Sequence, residues 1–125
     1  DWVTLSGRVT DDELVEAYRS AWLVVSASHA EGWGMSLTEG AACATPCVAT
    51  DIAGHRGAAV DGVTGRLVAD IADLGPVVAD LLGQYELRSE MARAATEHAA
   101  GLSWTAVAAR QLDVFCAAAA LASSR

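Results

Sequence analysis

The residues of this chain best suited to chemistry are Glu31 and Glu39, two acids that flank a short glycine-rich segment. The segment follows an apolar run of strand length and leads into a helix, so its backbone N–H groups could face an anion. Carboxylates repel phosphate but accept hydrogen bonds from hydroxyl groups. Acids on both sides of one anion site suit a ligand whose phosphates lie between two polyhydroxylated groups, as in a nucleotide sugar.

Each of these side chains also has a plainer interpretation. Ser36 and Glu39 have the spacing of a capping box, in which the glutamate folds back onto the start of its helix. Glu31 could be a solvated loop acid, and Trp33 could be a core residue that covers the loop. Spacing alone leaves both interpretations open, because two glutamates with seven residues between them occur often by chance.

Strand and helix patterns alternate on both sides of this segment. The sequence predicts strands at 3–5, 22–25, 47–50 and 66–68, a polar loop at 51–65, and helices after Thr10 and at about 36–43, 73–82, 86–99 and 104–120. Such alternation implies parallel pairing. We therefore expect one α/β domain over residues 1–125, a doubly wound Rossmann-like sheet of about four strands flanked by helices, with 22–25 as a central strand.

The end of the chain predicts a last helix that begins after the N-cap Ser103 and packs on the sheet. Four residues at helical spacing form its apolar face: Trp104, Ala108, Leu112 and Phe115. The alanine-rich tail at about 118–125 is a candidate for fraying.

Charge and residue usage exclude several classes of protein. The formal net charge is −8, which disfavours binding to nucleic acid or to an anionic membrane. All eight basic residues are arginine, so chemistry that needs a lysine is excluded. No apolar run of about 18 residues suggests a membrane span, and no signal peptide is evident, so we expect a cytoplasmic protein.

The cysteines and histidines do not suggest a metal site. The three cysteines are an odd number without a paired C-x-x-C element, and we expect them to be reduced thiols in the core. The histidines are too scattered for a zinc site. His29 and His55 border the predicted pocket, where a polar loop histidine is the more common case, and His98 is expected on a helix surface. We expect no metal and no cofactor.

The segment from Glu31 to Thr50 carries a family resemblance. Glu31-Gly32-Trp33-Gly34-Met35 through Glu39, followed by Ala42-Cys43-Ala44-Thr45-Pro46-Cys47-Val48-Ala49-Thr50, resembles the E-G-F-G-L…E-A-x-A-x-G-x-P-V-V-A-T signature of retaining glycosyltransferases of family 4. Similar elements continue over about residues 1–115. The resemblance implies a GT-B fold, in which the carboxyl-terminal of two Rossmann-like domains binds a nucleoside diphosphate sugar and no metal is required.

The resemblance also implies roles for individual residues. Glu39 resembles the glutamate that hydrogen-bonds the donor ribose, and Glu31 resembles the one that contacts hydroxyls of the transferred sugar. Arg8 lies in a turn similar to the segment beside the nucleobase. The expected substrate-binding residues are therefore Arg8, Glu31, Gly32, Trp33, Gly34, Met35, Ser36 and Glu39; no residue is assigned a catalytic role.

The chain departs from the family's pattern in four places. Ala27 replaces a usual proline. Gly40 replaces an alanine inside a helix, at a cost of about 1 kcal/mol. Ala44 stands where a glycine would adopt the left-handed conformation, at a further cost of about 1 kcal/mol. Ala53 and Gly57 replace a glycine and an acidic residue of a G-G-x-x-E loop, which weakens the case for donor contacts there.

The family's acceptor domain, and the diphosphate-clamping Arg and Lys of its opening donor-domain strands, would lie before Asp1. The chain thus resembles a partial donor-binding domain that needs an acceptor domain or partner chain for transfer, and its exposed sheet edge favours a homodimer. The alternatives are a non-catalytic α/β interaction domain, such as a degenerate glycosyltransferase half, and a flavodoxin-like domain that binds another phosphate ligand.

Overall fold

A parallel sheet with helices on both faces forms the core of this chain. The computed structural model describes residues 2–123. The helices are α1 Asp11–Ser20, α2 Met35–Ala42, α3 Ala53–Ala58, α4 Leu74–Leu82, α5 Tyr85–Ala100 and α6 Trp104–Ser123, and a 3₁₀ turn spans Ile71–Asp73. The strands are β1 Val24–Ser26, β2 Cys47–Thr50 and β3 Gly65–Val68. This arrangement confirms the predicted α/β class.

The sheet has three strands in the described residues, in the order β1-β2-β3, and both pairings are parallel. The prediction of about four strands is wrong, since residues 3–5 pair with no strand in the described part of the chain and Leu5 is exposed. The prediction that residues 22–25 form a central strand is also wrong. β1 starts at Val24 and lies at an edge, while β2 is central and buried along its whole length.

Each face of the sheet carries its own hydrophobic cluster. One cluster joins Leu37 of α2 and Ala58 of α3 to Cys47 and Ala49 of β2. The other joins Leu81 of α4 and Met91 of α5 to the opposite side of the same strand and to β3. The residues of β2 therefore alternate between two buried faces, which explains why its sequence is continuously apolar.

Two helix starts test the sequence predictions directly. Thr10 and Glu13 form the expected capping box, in which the Glu13 carboxylate accepts from the Thr10 N–H at 2.8 Å. This bond is the main reason that the pKa of Glu13 is lowered. The capping box that the spacing of Ser36 and Glu39 left open does not form, because α2 begins at Met35, its N-cap is Gly34, and no side chain caps it.

Helix α3 lies inside the segment expected to be a polar loop. Its six residues include two glycines, a composition with low helix propensity. The helix is nevertheless well buried, with Gly54, His55 and Ala58 among its inaccessible residues. Tertiary contacts hold this segment in a conformation that local preference disfavours.

Helix α6 does not pack on the sheet, contrary to the prediction. Trp104 is 89% exposed, and Leu112 and Phe115 are also exposed. The two buried clusters on the sheet are formed by the other helices, α2 and α3 on one face and α4 and α5 on the opposite face. Ser103 does act as N-cap, since its hydroxyl accepts from the Ala106 N–H at 3.3 Å.

The length and composition of α6 also bear on the membrane prediction. Within the described residues, it is the one helix long and apolar enough to cross a membrane by these two criteria, although it contains no apolar run of about 18 residues. Length and composition alone do not distinguish a membrane span from a helix that packs against protein.

All three cysteines are free, but they differ in environment. Cys47 is buried, Cys43 is partly buried and Cys116 is exposed, so the expectation of core thiols holds fully for Cys47 alone. Burial raises the pKa of the Cys47 thiol to about 11. This thiol therefore stays protonated near neutral pH.

Helix α2 ends in the left-handed conformation that the sequence predicted. Ala44 has φ +62°, and the bonds from the Ala44 and Thr45 N–H groups to the carbonyls of Ala41 and Gly40 form a Schellman motif. Gly40, in contrast, does more than lower the helix propensity of α2. A Cβ atom there would lie 2.6 Å from Cγ2 of Val24, so the glycine lets α2 approach β1 closely.

We predict that Ala44→Gly stabilises the protein. An L-residue in the left-handed region costs about 1 kcal/mol or more that glycine does not incur. The free energy of unfolding, measured by urea denaturation, should rise by about 1 kcal/mol. A decrease would show that the helix end is not held in this conformation.

We predict that Gly40→Ala destabilises the protein in spite of alanine's higher helix propensity. The added methyl group overlaps Val24, and overpacking of this kind costs about 1–3 kcal/mol. Gly83→Ala is the matched control, because its added Cβ would meet its nearest neighbour at an ordinary 3.4 Å. A double-mutant cycle with Val24→Ala should show coupling, and additive effects would contradict the proposed contact.

Candidate functional site

The glycine-rich loop at residues 31–34, here called the glycine loop, packs on helix α3. A Cβ atom at Gly54 would overlap the carbonyl group of Glu31, and the Gly34 N–H donates to the Gly54 carbonyl at 3.2 Å. A Cβ atom at Gly34 would lie 3.2 Å from Cδ2 of His55. Small residues on both sides therefore allow this close approach.

A buried histidine fixes the first acid of the loop. Nε2 of His55 lies 2.8 Å from Oε2 of Glu31, while its Nδ1 lies 2.7 Å from the Thr50 carbonyl oxygen. The hydroxyl of Ser26 lies 3.1 Å from Nε2. His55 is 0% exposed, so the expectation of a polar loop histidine is wrong. The Glu31 side chain keeps 32% of its accessibility and remains within reach of a ligand.

The third residue of the loop covers the same helix. The Trp33 ring packs against Gly57, where a Cβ atom would lie 2.9 Å from Cη2 and closer still to Cζ3. The indole Nε1–H donates to the Thr38 hydroxyl at 2.9 Å. Since Trp33 is still 39% exposed, it covers the loop and also presents a ring edge to solvent.

The start of helix α2 is the part of the site that could hold an anion. Gly34 is its N-cap, and Met35 lies in its first turn with an N–H that donates to the Trp33 carbonyl at 2.9 Å. The N–H groups in the first turn of a helix have no carbonyl partner within the helix, so they can bind an anion. No side chain caps α2, so the N–H groups that follow Met35 remain available for this role. The helix dipole adds to this preference.

The second acid lies in a different part of the molecule from the first. Glu39 accepts a hydrogen bond from the Tyr18 hydroxyl at 3.0 Å, and both line a groove of about 380 Å³ between α1 and α2, with Leu14 and Cys43. Burial, aided by Glu39, raises the pKa of Tyr18 to about 12. Glu31 does not line this groove. The two acids thus have different hydrogen-bond partners, His55 of α3 for Glu31 and Tyr18 of α1 for Glu39.

The remaining predicted residues surround the start of α2 or precede α1. Gly32, Met35 and Ser36 lie in the glycine loop and the first turn of α2, with Ser36 partly buried. Arg8 is exposed in the segment before α1, directly after Gly7, whose φ of +64° forms the predicted turn. The structure therefore brings the residues from 31 to 36 together and leaves Arg8 and Glu39 on the α1 side.

A polar cavity of about 310 Å³ at the carboxyl ends of the strands was missed by the sequence analysis. Ser28, Thr50, Asp51 and Asp70 line it, together with His29. Each follows or closes a strand, and this position is the signal that could have found them, because ligands collect at this edge of α/β sheets.

One of the two acids that line this cavity has a cationic partner. Arg56 donates to Asp51 at 2.6 Å and so lowers the pKa of that carboxyl. Among residues 2–123, no group of three or more His, Cys, Asp and Glu side chains could hold a metal ion.

Comparisons with known proteins agree on one family. The sequence model of the family described as glycosyl transferases group 1 matches residues 1–98. The chain is 41% identical over 110 residues to a D-inositol 3-phosphate glycosyltransferase of Frankia alni, covering 86% of this chain and 27% of that protein. A protein of the same name from Arthrobacter sp. is 40% identical over 120 residues, covering 94% of this chain and 28% of that protein.

A solved structure has the same fold. The chain superposes on sucrose-phosphate synthase from Thermosynechococcus elongatus with a TM-score of 0.79 and 24% identity, covering 94% of this chain and 30% of that one. The chain spans only about a quarter of the length of the relatives it matches.

We predict that Gly57→Ala displaces the Trp33 ring. The added methyl group overlaps the indole, so the Nε1–H bond to Thr38 should break and stability should fall by about 1–3 kcal/mol, despite the better helix propensity of alanine. The Trp33 indole N–H resonance and urea denaturation measure the two effects. Trp33→Phe in the Gly57→Ala background should recover most of the loss, whereas Trp104→Phe, at an exposed position, should recover none. Equal stability of Gly57→Ala and the unaltered protein would contradict the contact.

Proposed function

The chain belongs to the glycosyl transferases group 1 family, and from this membership we propose that it is the donor-binding part of a retaining glycosyltransferase. Its ligand in this proposal is a nucleoside diphosphate sugar. The observation that carries the proposal is the uncapped start of α2, held at the carboxyl edge of a parallel sheet by the glycine loop and α3. Backbone N–H groups can hold a diphosphate there without a basic side chain.

The two acids divide the ligand between them in this proposal. Glu31, held at the α3 side by His55, accepts from hydroxyls of the transferred sugar. Glu39, on the α1 side, accepts from the ribose, and Arg8 lies beside the nucleobase. The different partners of the two acids, on α3 and on α1, support this division, because ribose and sugar lie at opposite ends of a diphosphate. A carboxylate beside the centre of the diphosphate would repel it.

Transfer needs more than these residues. The chain spans about a quarter of its relatives, and three of its arginines are already paired with nearby acids: Arg56 with Asp51, Arg66 with Asp61 and Arg93 with Glu97. We propose that an acceptor domain or a partner chain completes the enzyme, and that residues 1–125 alone bind donor without transferring sugar. D-inositol 3-phosphate, named for the relatives, is the first acceptor to test on the complete protein.

We predict that two glutamate substitutions have different effects on nucleotide binding. Glu39→Ala should lower the affinity for UDP or GDP, whichever binds, by about 10-fold, because it removes a charged hydrogen-bond acceptor for the ribose. Glu31→Ala should leave the nucleoside diphosphate unaffected and weaken only the corresponding sugar nucleotide. Isothermal titration calorimetry measures both effects.

Glu90→Ala is the matched control, since it removes an exposed glutamate from α5, outside the proposed site. It should change neither affinity. Unchanged binding of nucleoside diphosphate by Glu39→Ala would refute the role of Glu39, and the absence of nucleotide binding by the unaltered protein would refute the proposed function.

A further inference from the structure

His55 has more hydrogen-bonding partners than the packing of a short helix needs. Its ring is completely buried, yet Nδ1 meets the Thr50 carbonyl oxygen at 2.7 Å and Nε2 meets the Glu31 carboxylate at 2.8 Å. The hydroxyl of Ser26 in β1 is a second polar group near Nε2, at a distance of 3.1 Å, and Gly34 packs on the ring edge. The one carboxylate bonded to this ring belongs to the glycine loop.

The contacts of His55 hold the ring from both sides. A carbonyl oxygen can only accept, so Nδ1 is the donor to Thr50. On the opposite side of the ring, Nε2 lies 2.8 Å from the Glu31 carboxylate. The ring, itself fixed by Thr50, therefore sets the position of this acid. The neighbouring Arg56 and Asp51 form their own ion pair.

We propose that His55 is a positioning residue for the sugar-binding acid of this site. It fixes the Glu31 carboxylate, whose side chain keeps 32% of its accessibility, at the mouth of the loop where hydroxyls of the sugar can donate to it. This inference rests on the proposed function, because it assumes that Glu31 contacts the sugar of a nucleoside diphosphate donor.

Two conservative substitutions separate positioning from packing. The side-chain amide nitrogen of glutamine can replace Nε2 of histidine, so His55→Gln keeps a donor for Glu31. The shorter asparagine can replace Nδ1, so His55→Asn keeps a donor for the Thr50 carbonyl and loses the one for Glu31. Both variants lose the aromatic ring, and each leaves one former partner without its donor.

The experiment compares UDP-glucose with UDP, or GDP-mannose with GDP, by calorimetry on the protein and on both variants. We expect His55→Asn to lower the affinity for the sugar nucleotide about 10-fold, which is the effect of losing one charged hydrogen bond. The affinity for the nucleoside diphosphate should be unchanged. His55→Gln should bind both ligands within about 3-fold of the unaltered protein. In the Glu31→Ala background, His55→Asn should have no further effect on the sugar nucleotide.

Each outcome is decisive. If His55→Asn binds the sugar nucleotide like the unaltered protein, or if both variants weaken both ligands equally, His55 has only a structural role and the inference is wrong. Should circular dichroism show His55→Asn to be unfolded, Glu31→Asp replaces it, since the shorter acid cannot reach His55, and unchanged sugar-nucleotide affinity would overturn the inference. Failure of the proposed function is distinct, because the unaltered protein would then bind no nucleotide at all.

Discussion

The contact between the glycine loop and helix α3 is the constraint on which the site depends. It combines a buried histidine, a carboxylate and backbone surfaces that touch because both sides lack side chains at Gly34 and Gly54. The position of the α2 start depends on this contact, since the Gly34 N–H that precedes α2 donates to α3. Helix α3 depends on it as well, because its own sequence gives little helical preference.

The glycines of this region are needed mainly because a larger side chain would not fit, and less because of their backbone conformation. Gly57 lies under the Trp33 ring, and Gly40 lies against Val24, so each allows an approach that a methyl group would block. The cost of glycine in a helix is about 1 kcal/mol per residue, and overpacking costs as much or more. Ala44 is the opposite case, because there a residue with a side chain occupies the left-handed conformation that glycine adopts more easily.

An acidic protein can bind an anion only where the local electrostatic potential is positive in spite of the negative net charge. With a net charge of −8, most of this surface repels a diphosphate. The helix dipole and the uncapped N–H groups at the start of α2 favour an anion locally. Membership in the glycosyl transferases group 1 family fits a site of this kind.

The sequence alone determined the elements whose signals are local. The capping box at Thr10 and the buried strand Cys47–Thr50 follow from neighbouring residues and agree with the structure. The left-handed end of α2 at Ala44, which the family resemblance implied, also agrees. The motif around Glu31 likewise identified the family, because side-chain type and spacing are properties of the sequence itself.

Tertiary structure decided what depends on contacts between distant residues. Glu31 and His55 are 24 positions apart, so no local pattern could show that they pair or that residues 53–58 form a helix. The exposure of Trp104 and the unpaired residues 3–5 were equally out of reach, because an apolar period predicts a face to be buried but not which surface is available to cover it. Long-range packing, which overrides weak local preference, is the physical reason for each of these differences.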